Sequence, residues 1–522
     1  MSTQAVDKSG TKHGRDSFGT RRVFILAAIG SAVGLGNIWR FPYVAYENGG
    51  GAFIIPYLVA LLTAGIPFLF LDYAVGHRYR GSAPLSFRRI ARGAEPIGWW
   101  MTGICAVIAI YYAAIIAWAI RYTFFSIEER WGDDPNAFFF GEFLQAADTP
   151  GASLDLVPGV FWPLLLLWIV VVGIMVLGVQ KGIGRMAIIF MPLLLLVFAA
   201  LVVRALFLDG AGVGLDALFS PNWSALTETG VWVAAFGQIF FSLSVGFGIM
   251  ITYASYVRRR TDMTGSGAVV GFSNSGFELL AGIGVFAALG FMATAAAVPV
   301  DEVATSGLGL AFVAFPTIVS EAPGGGLLGV LFFASLVVAG LTSLVSVLEV
   351  VVSAVREKIG LSRVSAALWV GLPAAVLSIG LFSTTTGVYV LDTMDHFVNS
   401  FGILAAAVAS MVALTFVFRK LPVLMAHMNK FGTIRLGRWW QFLVGGVAPA
   451  ALAFILFRDF MSELEAPYEG YPSTFINIFG WGMVVALIVV AIGLSFLPWS
   501  RHTPIEEPSY DDETNSDKEA ES

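Results

Sequence analysis

Charge and cysteine are the two things this sequence has least of. Of its 522 residues only 13% are charged and 57% are hydrophobic, whereas soluble domains carry about a quarter charged residues. The shortfall excludes an ordinary water-soluble globular domain and points to lipid as the solvent. A single cysteine, Cys105, excludes an intrachain disulfide; set in an apolar run, it reads as an inert buried thiol. The histidines (His13, His77, His396, His427 and His502) are scattered. They offer no metal cluster and no base beside Cys105, so the chain does not read as an enzyme. Nucleic acid is not an expected partner. A cleavable secretory signal is lacking too. The basic start (Lys8, Lys12, Arg15, Arg21, Arg22) runs into a long apolar segment followed by Ile38-Trp39-Arg40-Phe41-Pro42, not by a small-residue cleavage site. That segment reads as a retained membrane helix.

What is abundant is phenylalanine (43) and glycine (57), and glycine is commoner in membrane helices than in soluble ones. A membrane helix needs about 20 mostly apolar residues. That ruler gives about twelve segments, at 22–45, 52–76, 98–123, 160–178, 185–207, 230–256, 266–298, 326–355, 364–383, 388–418, 439–458 and 474–498. Alternate connections are basic: Arg78, Arg80, Arg88, Arg89 and Arg92, then Lys181 and Arg185, then Arg258–Arg260, Arg356 and Lys358, and Arg419 to Arg435. The intervening ones are acidic, with Glu128, Asp133, Asp301, Glu302 and Glu463. Cytoplasmic loops carry the Lys/Arg excess. Both termini are therefore expected in the cytoplasm, on a multi-pass protein of the plasma (inner) membrane. The tail after Trp499 is polar and acidic and reads as disordered.

Two segments differ from ordinary spans. The first contains Ser31-Ala32-Val33-Gly34-Leu35-Gly36-Asn37, the sixth Ser242-Leu243-Ser244-Val245-Gly246-Phe247-Gly248. Each mid-segment glycine weakens a helix by about 1 kcal/mol relative to Ala. Backbone freed at membrane depth is tolerated only where it lines a protein cavity. One such segment fits close helix packing. Two, five apart in order, fit an inverted five-helix repeat whose first and sixth helices are discontinuous, with the substrate and ions held where the helices break. The expected fold is thus an all-α membrane protein of about twelve transmembrane helices with broken helices 1 and 6. Its parts are a cytoplasmic segment 1–21, a first repeat 22–207, a second repeat 230–418, helices 11 and 12 at 439–498, and an acidic cytoplasmic tail 499–522.

A dehydrated sodium ion needs a cage of oxygens, which unwound backbone and nearby Ser, Thr or Asn can supply. Asn37 ends the first break, and the eighth segment holds Ala339-Gly340-Leu341-Thr342-Ser343 within an apolar run. Arg40, Asp72, Glu278, Glu349, Asp392 and Asp395 are charged residues within or at the ends of spans, which mark pathways or buried pairs. Asp72 instead reads as an interfacial carboxylate reaching water.

The run Gly34-Leu35-Gly36-Asn37-Ile38-Trp39-Arg40-Phe41-Pro42, then Glu47-Asn48-Gly49-Gly50-Gly51-Ala52-Phe53, then Gln238–Ser244, Tyr253-Ala254-Ser255-Tyr256 and Ala339–Ser343, resembles the neurotransmitter:sodium symporter family, including its bacterial sodium-dependent amino-acid transporters. The likeness covers roughly residues 15–500. It implies one sodium site at the Ala32 carbonyl, Asn37, Ser242 and Asn274, completed by the substrate carboxylate. A second would use the Gly30, Val33 and Ala339 carbonyls with Thr342 and Ser343. The carboxylate would face the Leu35 and Gly36 amides and the Tyr112 hydroxyl. The ammonium would meet the carbonyls of Ala32, Phe241 and Ser244. The implied side-chain pocket is Ile108, Tyr112, Phe241, Phe247, Ser343 and Val347, with no acidic residue. Monoamine transporters of the family place a carboxylate where this chain has Gly34, so a neutral, apolar amino acid is the implied cargo.

The resemblance also implies gates. Arg40 would pair with Asp395 on the extracellular side, under which Tyr112 and Phe241 form a lid. Arg15 would pair with Glu357 on the cytoplasmic side, supported by Phe18 and Tyr256. Glu278 stands where chloride-dependent relatives have Ser and bind the anion beside Tyr57, Gln238 and Ser242. Chloride-independent transport is implied, with Glu278 taking a proton on the return step. The family's usual Glu bracing the broken sixth helix is here the shorter Asp72, which leaves that brace open. The resulting expectation is a sodium-coupled symporter in a lipid bilayer. The alternatives are a sodium-gated channel, which would show a symmetric filter, and an amino-acid sensor, which would carry a signalling domain.

Overall fold

The computed structural model describes residues 17–303 and 307–507. Among these the only β-contacts are two isolated bridges, Gly50 with Pro221 and Leu156 with Thr384; the rest of the described backbone is helical or loop. Among the described residues nine helical runs are long and apolar enough to cross a membrane, and Arg21–Ala32 with Leu35–Glu47 makes one further span bent by 55°. One of the nine, Pro158–Leu206, has 49 residues. At 1.5 Å per residue that is far longer than a hydrocarbon core of about 30 Å. It turns at Gly178, where φ is +81°, dividing into Pro158–Gly178 and Arg185–Leu206. The sixth span is likewise two pieces, Thr229–Ser242 and Ile249–Ser255. The count is then twelve, as the apolar segments lead one to expect.

Both breaks are narrower than the glycine-rich stretches that announce them. In the first span only Val33 and Gly34 leave the helix. The second half starts at Leu35, where the Asn37 side chain accepts from the Gly34 N–H at 2.9 Å. In the sixth span Ser244, Gly246 and Gly248 have φ of +52°, +86° and +91°. Glycine takes that region at no steric cost. At Ser244, where a side chain is strained, the hydroxyl donates to the Ser31 carbonyl at 3.0 Å, and so the two breaks are tied together.

Asp72 departs from its sequence reading. It is 2% exposed, on the span Gly51–Tyr79, and its Oδ2 accepts the Gly246 N–H at 3.1 Å. It is no interfacial residue. It supplies an acceptor for backbone that the sixth-span break has freed at membrane depth, where an unmet N–H is costly. The shorter carboxylate reaches because Gly76 lets the second span lie against the lower half of the sixth: a Cβ there would sit 1.9 Å from the Ile251 carbonyl oxygen.

The eighth span, Gly325–Ile359, packs along the third, Arg92–Glu128. Small residues set the approach: a Cβ on Gly340 would come within 2.7 Å of Ile116, and one on Gly329 within 2.6 Å of Ser126 Oγ. This places Thr342 and Ser343 beside the break of the first span.

Candidate functional site

Ser343 Oγ lies 3.4, 3.2 and 3.5 Å from the carbonyl oxygens of Gly30, Ser31 and Val33. One hydroxyl hydrogen cannot serve three acceptors. Thr342 Oγ1 donates to the Ala339 carbonyl at 2.8 Å, with that of Val338 at 3.2 Å. Gly30, Val33, Ala339, Thr342 and Ser343, joined in the sequence only by family likeness, thus come together as an oxygen-rich cluster. Helix-end carbonyls and neutral hydroxyls of this kind suit a hard monovalent cation.

A second polar chain crosses the same region. Asn37 Nδ2 donates to Asn274 Oδ1 at 2.9 Å, and Asn274 Nδ2 to Ser242 Oγ at 2.9 Å. All three are buried, at 2%, 0% and 2% exposure. The amide oxygens and the hydroxyl are brought within one hydrogen-bonded chain beside Ala32.

Between these clusters is a cavity of about 80 Å³. Ala32, Leu35, Gly36, Ile108, Tyr112, Phe241, Ser244, Phe247, Ser343 and Val347, the whole substrate set read from the sequence, line it. The Tyr112 hydroxyl accepts from the Leu35 N–H at 3.1 Å. Two glycines keep the cavity wall close, Gly36 by necessity and Gly34 by a tight fit. A Cβ on Gly34 would meet Tyr112 and Ser343 oxygens at 3.1 and 3.2 Å, and one on Gly36 would lie 2.1 Å from the Phe241 ring. Cys105, fully buried, donates its Sγ–H to the Phe247 carbonyl at 3.0 Å.

The lining also holds Tyr111, Asp395 and Asn399, so the expectation of a cavity without an acidic residue does not stand. Asp395 lies on the tenth span at a level where it faces both this cavity and the one above it, and its carboxylate accepts from Asn399 Nδ2 at 2.9 Å. Tyr111 and Asn399 escaped sequence reading because each is a lone polar residue on a helix. Only the spacing of Asn399 from Asp395, one turn apart, signals their pairing.

Above lies a larger vestibule of about 540 Å³, whose wall includes Arg40, Phe241, Asp395 and Asp459. Phe241 belongs to both cavities. Arg40 and Asp395 share the vestibule wall, yet no ion pair within 4 Å joins them; the Arg40 guanidinium instead sits 4.4 Å over the centre of the Phe241 ring. On the opposite, arginine-rich side Phe18 is 2% exposed and packs edge-on against Tyr253 and Tyr256, at 5.2 and 6.2 Å between ring centres. Its N–H donates to the Tyr256 carbonyl. Glu357 Oε2 accepts the Ser82 N–H at 2.8 Å. Arg15 lies outside the described residues.

Glu278 is fully buried and accepts from Tyr57 Oη and from Gln238 Nε2, the latter at 2.6 Å. Tyr57 Oη is also 2.8 Å from Ser275 Oγ. Glu349 takes both Arg363 nitrogens, at 2.8 and 2.6 Å, and Tyr256 Oη at 2.6 Å. Asp392 is held by Tyr468 and Tyr471, both at 3.2 Å.

The profile of the sodium:neurotransmitter symporter family matches residues 15–137 and 132–502. The chain belongs to that family. It is 41% identical over 483 residues to an uncharacterized sodium-dependent transporter of Methanocaldococcus jannaschii, covering 92% of this chain and 97% of the relative. It is 29% identical to the sodium-dependent transporter snf-5 of Caenorhabditis elegans, over 91% of this chain and 76% of that one. Its fold matches the crystal structure of MhsT in complex with L-phenylalanine with a TM-score of 0.72 and 33% identity, over 85% of this chain and 99% of that chain. This symporter-family chain is therefore a sodium-dependent transporter, a multi-pass membrane protein with a small-molecule substrate, and not an enzyme.

Proposed function

We propose that the protein is a sodium-coupled symporter of neutral, apolar amino acids that works by alternating access and does not require chloride. The observation that carries this reading is Ser343 Oγ within 3.5 Å of three carbonyls of the first-span break, a surplus of oxygen lone pairs over hydrogens that a cation resolves. Sodium would be held there by Gly30, Val33, Ala339, Thr342 and Ser343, and at a second place by Ala32, Asn37, Ser242 and Asn274.

The cargo follows from what surrounds the cavity. Its carboxylate would meet the Leu35 and Gly36 amides at the positive end of a half-helix and complete the Asn37 sodium site. The ammonium would face the Ala32, Phe241 and Ser244 carbonyls. Gly34 places no carboxylate at the Asn37 site, and the cavity's Asp395 is engaged by Asn399, so the cargo brings its own, as an amino acid does and a monoamine does not. Ile108, Phe241, Phe247 and Val347 surround an apolar side chain. The phenylalanine bound by MhsT supports that class.

Phe241 and Tyr112 would close over the cargo, and Arg40 with Asp395 over them. The positive-inside rule puts the vestibule outside the cell, Phe18, Tyr256 and Glu357 at the inner gate, and both termini in the cytoplasm. Rocking of the broken helices against their scaffold would exchange the two openings. Glu278, set between Tyr57 and Gln238, would supply the negative charge that chloride supplies elsewhere and take a proton on the return step. Uptake of labelled amino acids into proteoliposomes under an inward sodium gradient tests the reading; no uphill accumulation of any neutral amino acid would refute it.

A further inference from the structure

The vestibule wall carries a carboxylate to which the symport reading gives no duty. Asp459 stands on the run Arg438–Gly470, one turn beyond Ile455, and both face the vestibule with Arg40 and Asp395. Among the described residues Asp459 has neither a hydrogen bond nor an ion pair. Its charged neighbours are His396, Arg458, Arg40 and Glu463. His396 is engaged by Glu463 at 2.8 Å and stacked on Tyr468 at 3.9 Å, and Arg458 is exposed. Arg40 is the cation of that group which shares the vestibule wall and, among the described residues, lacks an ion pair. Its guanidinium rests on the Phe241 ring, a contact that a closing lid would carry with it.

A half-buried carboxylate with no partner is costly unless a cation can reach it. Asp395 already spends acceptor capacity on Asn399. A guanidinium offers five N–H donors in a fixed fork and can serve two carboxylates at once. We propose that Asp459 is a second carboxylate of the vestibule gate, so that Arg40 on closing bridges Asp395 of the tenth span and Asp459 of the eleventh. The eleventh span thereby takes part in the gate. Asp459 is a positioning residue: it acts through Arg40 and touches neither cargo nor ion. The inference rests on Arg40 being the gate cation.

A double-mutant cycle tests it with no cargo present. Ala234, on the vestibule wall, is replaced by Cys as a reporter; Cys105 is fully buried and serves as the slow internal control. The rate of modification by a membrane-impermeant thiol reagent is measured in sodium buffer for Asp459→Asn, Arg40→Gln and the double variant. Asp459→Asn should raise the rate about five-fold, the equivalent of ~1 kcal/mol for a partly exposed ion pair. It should add nothing once Arg40→Gln is present, and Asp459→Glu should restore the slow rate. An unchanged rate in Asp459→Asn, or an equal rise in both Arg40 backgrounds, overturns the proposal. If Arg40→Gln alone leaves the rate unchanged, the gate reading of Arg40 has failed and the proposal falls with it. A rise with Arg40→Gln but none with Asp459→Asn removes only the second carboxylate.

Discussion

Ser343 Oγ lies 3.2 Å from the carbonyl oxygen of Ser31, 312 positions earlier in the chain. This contact joins the eighth span to the broken first span, and it exists because Gly340 draws the eighth span close against the third. Replacing Ser343 with Ala should therefore weaken sodium binding more than folding. A loss of about ten-fold or more in sodium affinity, ~1.4 kcal/mol, is expected. Titrating the sodium-induced rise in melting temperature, which follows ligand saturation, checks it; an unchanged sodium midpoint would count against the Ser343 site.

Asp72 braces the Gly246 N–H of the sixth-span break. Asp72→Ala leaves that buried donor unmet, at a cost of about 1–3 kcal/mol. A lower apparent melting temperature and weaker cargo binding should follow together. Asp72→Asn keeps an acceptor oxygen and should lose less of both.

The contact of Gly36 with the Phe241 ring is tight enough that one methyl group should report on it. A Cβ there would fall 2.1 Å from Phe241 Cε1. Gly36→Ala should displace the ring and cost about 1–3 kcal/mol as an overpacked contact, seen as weaker cargo binding with the sodium response of the Ser343 cluster retained. Equal cargo affinity in both proteins would show that Phe241 does not close over the cargo.

Glu278 carries the chloride prediction. Wild-type uptake at saturating sodium should be unchanged when gluconate replaces chloride, and Glu278→Ser should make uptake chloride-dependent. A large loss in the wild type under gluconate would refute the role given to this carboxylate.

On the arginine-rich face, His427 lies between spans in the helix Leu421–Met428, with its Nε2 2.9 Å from His77 Nδ1. Burial, then the neighbouring His77, Arg78, Arg259 and Lys430, push its pKa down from 6.5 to about 2. A histidine held neutral in the fold contributes stability that is fully present above about pH 6.5. That stability is lost as pH falls below this value, because the unfolded chain then binds a proton the fold does not. The protection factors of amides across 421–428, with the intrinsic exchange rate at each pH divided out, should fall by up to about ten-fold between pH 7.5 and pH 5.5, and His427→Gln should flatten that dependence. The same fall in His427→Gln would assign it to another group.

The fold was readable because lipid imposes a simple ruler and because paired glycine runs at 31–37 and 242–248 have few explanations at membrane depth. The oxygen cluster was reachable only through family likeness, since Thr342 and Ser343 alone look like hydroxyls bonding back along their own helix. Asp72 was misread because its partner, the Gly246 N–H, is a backbone group freed by a break on another span. Asp459 sits beside Arg458 near a span end and looks like one of many interfacial charges. Arg40 rests over the Phe241 ring instead of pairing with Asp395, a choice of partner that residue types do not encode.

The direct test of coupled amino-acid transport is accumulation. Purified protein in proteoliposomes, given a panel of labelled amino acids, should concentrate one or more neutral apolar members with sodium outside and none with potassium outside. Accumulation that is the same in both ions, or absent in both, would contradict it.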